Sequence, residues 1–157
     1  YNFLSEHNIK LVKKIANMGH KVSLHFDPTI YESIDSFDYE KNIFENIIKQ
    51  KVDIVSIHRP GKFLDNNNQF IKGIPHTYQD KYFKKMKYIS DSAGRDVFYP
   101  LEEYLKNKNQ YGLHLLIHPI WWKHKIDNPT KTINTWRSEF INFINLEIRK
   151  NCKSYKG

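Results

Sequence analysis

Residues Val22–Asp27 read VSLHFD and are cut off sharply by Pro28. Val22, Leu24 and Phe26 alternate with Ser23, His25 and Asp27, and a period of two is the signature of a β-strand with one apolar face. The opposite face ends in an imidazole and a carboxylate two residues apart. A neutral imidazole nitrogen and a carboxylate oxygen are donor types that suit zinc and related cations. The plain alternative is a hydrogen-bonded His–Asp pair that merely finishes a strand. The endings of the other strands decide between the two.

Upstream of this strand, Ser5 is placed to cap a helix carrying Ile9, Leu11, Val12, Ile15, Ala16 and Met18, with Gly19 as its left-handed stop. Downstream, Asp38 is placed to cap a second helix with an Ile43, Phe44, Ile47, Ile48 stripe, running to about Gln50. Val52–Arg59 reads as the second strand, with Ile54, Ser56 and His58 on one face and Val55, Ile57 and Arg59 on the other. Pro60 and Gly61 end it. The segment from Lys62 to about Lys85 is long for a connection and is expected to hold short irregular elements.

Tyr88–Ser92 is a short third strand ending in Asp91 and Ser92, with a turn at Gly94. Pro100–Lys106 reads as a short helix with Pro in its first turn. Gly112–Ile120 is the most apolar strand, with His114, Leu116 and His118 on one side, and Trp121 and Trp122 follow it. A last helix, from about Thr130 to Lys150, is expected to bury Ile133, Trp136, Phe140, Phe143 and Ile144. Strands alternating with helices imply an α/β fold with a largely parallel sheet or barrel. In such folds the reacting groups lie at the C-terminal strand ends. Those ends carry His25/Asp27, His58/Arg59, Asp91/Ser92 and His118. Four strands delivering ionisable groups are better explained by one site than by separate accidents.

Simpler roles stand beside each of these. His58 can cap a strand-end carbonyl, and Arg59 can pair with a carboxylate such as Asp91. His114 lies on the His118 face but deeper, as core or site support. His7, His20, His76 and His124 fall on helices or loops and are expected at the surface. Of Trp121 and Trp122, one suits the core; an apolar ring face also stacks well on a sugar, so the other suits a carbohydrate subsite.

Composition sets the outer bounds. The 157 residues suggest one domain, and 39% hydrophobic residues with ten Tyr and ten Phe supply a real core. The single Cys152 excludes an intrachain disulfide. The formal charge of +8 would suit an anionic partner, but the lysines are dispersed along helices and loops, so nucleic acid is not the expected partner. No run approaches the roughly 20 apolar residues of a membrane helix. No signal peptide is seen, and a cytoplasmic location is the expectation. The sequence leaves the oligomeric state open.

Taken in order, the motifs resemble a family. Gly19–His25, GHKVSLH, resembles the Gly-His-x-(aliphatic)-x-x-His segment of polysaccharide deacetylases (carbohydrate esterase family 4, of NodB-homology type). Ile57–Gly61, IHRPG, is similar to that family's Arg-Pro strand end. Tyr88–Asp96, YISDSAGRD, resembles its short Asp-bearing segment, and Leu115–Trp122, LLIHPIWW, its final Leu-x-His strand. The likeness is nearest to divergent members of bacterial surface-polysaccharide clusters.

The resemblance implies part of a distorted (β/α) barrel and metal-dependent removal of an N-acetyl group from a sugar or polysaccharide. The implied cofactor is a divalent cation, zinc first, with cobalt or nickel as substitutes. Matched motif by motif, His25 is the first metal histidine, Arg59 the positioning arginine, Asp91 the carboxylate that orients the acid, and His118 the general acid. Trp121 and Trp122 are the sugar-binding candidates. The family's second metal histidine, four residues after the first, falls on Thr29. Asp27 and His58 are the candidates to replace it. The family's paired aspartates precede the first helix on a strand that this chain does not carry. The chain is therefore expected to be the C-terminal portion of a longer domain. The alternative is a catalytically inactive carbohydrate-binding relative, which both departures favour.

Overall fold

The computed structural model describes residues 3–66, 70–107, 111–122 and 128–155. The chain is mixed α/β, about half helical, with small sheets and no closed barrel among the described residues. It divides into two compact units, Tyr1–Lys85 and Met86–Gly157.

The first unit opens with α1 (Glu6–Asn17), capped as expected by Ser5, whose hydroxyl accepts the amide of Asn8 at 3.3 Å. Strand β1 (His25–Phe26) pairs in parallel with β2 (Ser56–Ile57), with His25 opposite Ser56 and Phe26 opposite Ile57. Between them runs α2 (Ser36–Ile48), which ends where Lys49 turns left-handed at φ 62°. Asp38 lies in its first turn and not at its cap, because the helix starts three residues earlier, with Asp35 at the cap position. After β2 come α3 (Gly61–Asn66), the antiparallel pair β3 (Phe70–Ile71) and β4 (Ile74–Pro75), and α4 (Asp80–Phe83). The expectation of short irregular elements here is met.

Both parallel strands are shorter than the alternation implied. Regular pairing covers two residues of each, extended by the Ser56 amide to the Leu24 carbonyl and the His58 amide to the Phe26 carbonyl, at 3.0 and 2.7 Å. A third segment joins through a parallel bridge of Val55 with His76. Burial follows the period of two. Phe26, Val55 and Ile57 are buried with Phe37, Phe44, Ile48, Val52 and Ile71, and Phe26 packs edge-on to Phe37 with centroids 5.2 Å apart. Each such side chain contributes roughly 1.5–3 kcal/mol by leaving water. This core is what holds the β1 and β2 ends in register.

The second unit pairs β5 (Lys87–Ser90) in parallel with β6 (Leu113–Leu116), followed by a short turn at Pro119–Trp121. Helix α5 (Phe98–Lys106) connects the strands, and α6 (Pro129–Asn151) ends the unit. Asn128 caps α6 by accepting the amide of Thr130 at 2.8 Å, and Pro129 supplies the preset first turn.

Two expectations are overturned. The apolar stripe of α6 is not buried: Ile133, Trp136, Phe140, Phe143 and Ile144 are all exposed, and Thr132 in the first turn is the buried residue of the helix. Thr132 buries that first turn, and helical periodicity alone misjudges what the rest of the face meets. His76 is fully buried and not at the surface, because its backbone joins the sheet beside Val55. Its Nδ1 accepts the Tyr78 amide at 3.2 Å, which satisfies a polar atom inside the core. His7 and His20 are exposed as expected, and His124 lies outside the described residues. No helix among the described residues is long and apolar enough to cross a membrane.

Candidate functional site

In the first unit, the parallel register sets His25 beside Ser56, and the chain continues from Ser56 through Ile57 to His58 on the same face. The result is a line of polar groups. The Ser56 hydroxyl lies 2.9 Å from His25 Nδ1, His25 Nε2 lies 3.0 Å from His58 Nδ1, and His58 Nε2 lies 3.9 Å from Asp27 Oδ2. The two rings meet edge to face with centroids 5.0 Å apart. In the neutral protein one pattern satisfies the line: Ser56 donates to His25, His25 to His58, and His58 faces the carboxylate with its remaining N–H.

Asp27 has a second task. Its Oδ1 accepts both the amide of Thr29 at 2.9 Å and the Thr29 hydroxyl at 2.6 Å, which caps the turn Pro28–Ile30. The Thr29 hydroxyl is the main reason the carboxyl is held below its ordinary value; its partial desolvation opposes this, and the Thr29 amide, His58 and Arg59 add to it. Asp27 is therefore firmly anionic at neutral pH.

Arg59 completes the strand end in an unusual conformation. Its φ is +49°, the left-handed region in which a side chain with a Cβ is strained by about 1–2 kcal/mol. Such strain persists where surrounding structure imposes it and is concentrated at functional sites. The side chain is exposed, with its charge close enough to Asp27 to favour the carboxylate.

The fit to a divalent cation can be judged from these contacts. Zinc–nitrogen distances of about 2.0–2.1 Å place two ligands of a tetrahedral ion roughly 3.3 Å apart. The facing nitrogens of His25 and His58 are close to that separation. If Ser56 accepts from His25 Nδ1–H and Asp27 holds His58 Nε2–H, both facing nitrogens present lone pairs to one point. That is the outer hydrogen bonding that metal-binding histidines commonly receive. Asp27 does not join them there, since it faces the nitrogen of His58 turned away from His25. Among the described residues no group of three or more His, Cys, Asp or Glu side chains is arranged to hold an ion. The two imidazoles fit; a three-donor set is not formed.

An apolar cleft of 530 Å3 flanks His25, lined by Val22 and Leu24 of the segment leading into β1, Phe3, Leu4 and Val12 on the α1 side, and Ile43 and Phe44 of α2. Glu40 also lines it and accepts the hydroxyl of Tyr31, which pushes the Tyr31 phenol up to about 12.

In the second unit, Asp91 follows β5 and His118 follows β6. Asp91 is 2% exposed, and both of its oxygens are used by His118: Oδ2 accepts the backbone N–H at 2.7 Å and Oδ1 lies 2.6 Å from Nδ1. A buried carboxylate held at two points of one residue fixes both the ring plane and the tautomer. The outward Nε2 is then the proton-carrying or proton-accepting atom. His114 is half-buried deeper along β6, edge-on to Tyr88 at 5.0 Å between centroids, as a supporting residue.

Beside the Asp91–His118 pair lies a 660 Å3 cleft lined by Asp91, Arg95, Asp96, Phe98, Leu101, Leu115, Ile117, Trp121, Trp122 and neighbours. Trp121 is half-buried and Trp122 is 63% exposed. Both rings line the cleft, and neither is part of the buried core. Gly94 closes one wall: a Cβ there would meet Pro129 Cγ at 2.7 Å, and the residue sits at φ +74°.

The structure thus places His25, Asp27, His58 and Arg59 in one unit and Asp91, His118, Trp121 and Trp122 in the other. Sequence reading passed over Ser56, because only the register of β1 against β2 brings it to His25. Arg95 and Asp96 were read as part of a motif and not as cleft residues; their charge beside an aromatic pair was the available signal. No protein-family model, curated protein or solved structure matches the chain.

Proposed function

We propose that the chain is a metal-dependent carbohydrate deacetylase-like hydrolase of the distorted (β/α) barrel type, acting on the N-acetyl group of a sugar or polysaccharide. The observation that carries this reading is the parallel register that sets His25 and His58 nitrogens 3.0 Å apart at adjoining strand ends. The buried Asp91–His118 pair supports it as the acid–base element such a reaction requires.

In this reading His25 and His58 hold a divalent cation, zinc first and cobalt or nickel in its place. A bound ion of this kind polarises an amide carbonyl and lowers the pKa of water. With a cation in place of the shared proton, Ser56 would accept from His25 Nδ1 and Asp27 would hold His58 Nε2–H, leaving the two facing nitrogens as donors to the ion. Asp27 backs His58 through Oδ2 while Thr29 holds its Oδ1. Arg59, held in its strained conformation, positions charge at the strand end. His118 carries a proton at Nε2 for the departing amine, with Asp91 fixing the ring. Trp122 offers its exposed face to a sugar ring, and Trp121 braces the cleft wall.

The second reading is a carbohydrate-binding relative without catalysis. The position of Asp27 favours it, since its Oδ2 faces the His58 nitrogen turned away from His25 and does not share the point where the two facing nitrogens converge. Acetate release from N-acetylglucosamine oligomers, measured with and without added zinc, separates the two. The hydrolase reading expects zinc-dependent release that His118→Ala lowers by about 10²–10⁴-fold. Oligosaccharide binding with no acetate release under any metal selects the second reading.

A further inference from the structure

Helix α6 carries an exposed apolar face that neither the sugar cleft nor the histidine line uses. At 100° per residue, Ile133, Trp136, Phe140, Ile141, Phe143, Ile144 and Ile148 fall within one sector of about 160°. All are exposed, and the rings of Trp136, Phe140 and Phe143 stack along it with centroids 5.5 and 6.4 Å apart. Two charges lie inside this sector, Arg137 and Glu147, ten residues apart and each five from Asn142. That spacing is self-complementary. A two-fold axis beside Asn142 running two such helices antiparallel sets Arg137 level with the partner's Glu147, and Glu147 level with the partner's Arg137. The same axis sets Phe140 level with the partner's Ile144 beside the seam, and it brings the Trp136 and Phe143 rings of both copies to one flank and Ile141 and Ile148 of both copies to the other.

The geometry points to a second copy of this chain as the occupant, joined through antiparallel α6 helices in an isologous two-fold dimer. A two-fold interface must satisfy its own charges, and this face does so with one pair used twice. The area is adequate. At about 200 Å2 per aromatic residue, the three rings alone contribute roughly 300 Å2 per copy at their present exposure. The four isoleucines carry the sum toward the roughly 600 Å2 per partner at the lower end of specific interfaces. Within its own chain Glu147 is paired with Lys150 at 2.6 Å in an exposed i,i+3 contact, which is weak enough to be exchanged.

The test is sedimentation equilibrium of the whole chain from micromolar to millimolar concentration, with three charge variants. Dimerisation is expected, weakened about tenfold by Arg137→Glu or Glu147→Arg alone, since each places like charges together twice. The double variant is expected to return within about threefold of the original affinity. Arg137 is exposed and the Glu147 side chain is 40% exposed, so circular dichroism should show unchanged helicity. A monomer at every concentration overturns the proposal, whether Trp136 is then shielded from acrylamide by the rest of the chain or by phosphatidylcholine–phosphatidylglycerol vesicles. A dimer that the double variant fails to restore overturns the antiparallel register.

Discussion

Asp91 and His118 offer the sharpest energetic test of the second unit. Asp91 is almost wholly buried, and among the described residues its charge is met by its two contacts with His118. Asp91→Asn keeps the shape and one carbonyl oxygen for the His118 backbone amide, but replaces the charge-assisted contact at Nδ1. Hydrogen bonds to charged groups contribute about 1.5–3 kcal/mol. The His118 side chain is 42% exposed, which screens its end of the pair and favours the lower half of that range. His118→Ala leaves the carboxylate with the backbone donor alone, at a cost of about 1–3 kcal/mol. Because the residues touch, the two losses should not add: the double variant should show a coupling of about 1.5–2 kcal/mol. All three tryptophans lie in this unit, so urea unfolding followed by tryptophan fluorescence reports it directly. At a slope near 1 kcal/mol per molar urea, each single change moves the midpoint by more than about 1 M. Single variants that are destabilised independently, with coupling below about 0.5 kcal/mol, would refute the reasoning that the pair is one unit.

Two further outcomes follow from the histidine line. Asp27 is held below its ordinary value in the folded chain, so it contributes stability that is present above the unfolded value of about 3.9 and lost as pH falls through its depressed folded value. Thr29→Ala removes the largest cause, and its melting temperature should fall less steeply than wild type between about pH 5 and pH 2; parallel curves would deny Thr29 that role. Arg59→Gly should relieve left-handed strain and raise stability by about 1 kcal/mol while lowering hydrolysis, read from thermal melts beside acetate assays; a destabilised variant would show that the Arg59 side chain holds the strand end together.

How much of this was legible in the sequence depends on which physical scale each feature obeys. The alternation of VSLHFD placed Phe26 in the core and His25 outside it, because period two is local geometry. The α6 helix was legible from its helical spacing, expected from about Thr130 to Lys150 and observed over Pro129–Asn151. What that helix packs against was not, since an amphipathic face states only that it is apolar. The Ser56–His25 contact depends on strand register, which is tertiary. The burial of His76 arises from a backbone bridge to Val55 that no side-chain pattern announces. Asp91 and His118 were each legible as strand-end residues; that one carboxylate takes both donors of the histidine required coordinates.

The central claim is that His25 and His58 form the cation site. The most direct measurement is calorimetric titration of the chain with zinc, compared with His25→Ala and His58→Ala. The account predicts one zinc per chain in the wild type, with most of the affinity lost in either variant. Zinc affinity left unchanged by removing His25 would contradict it.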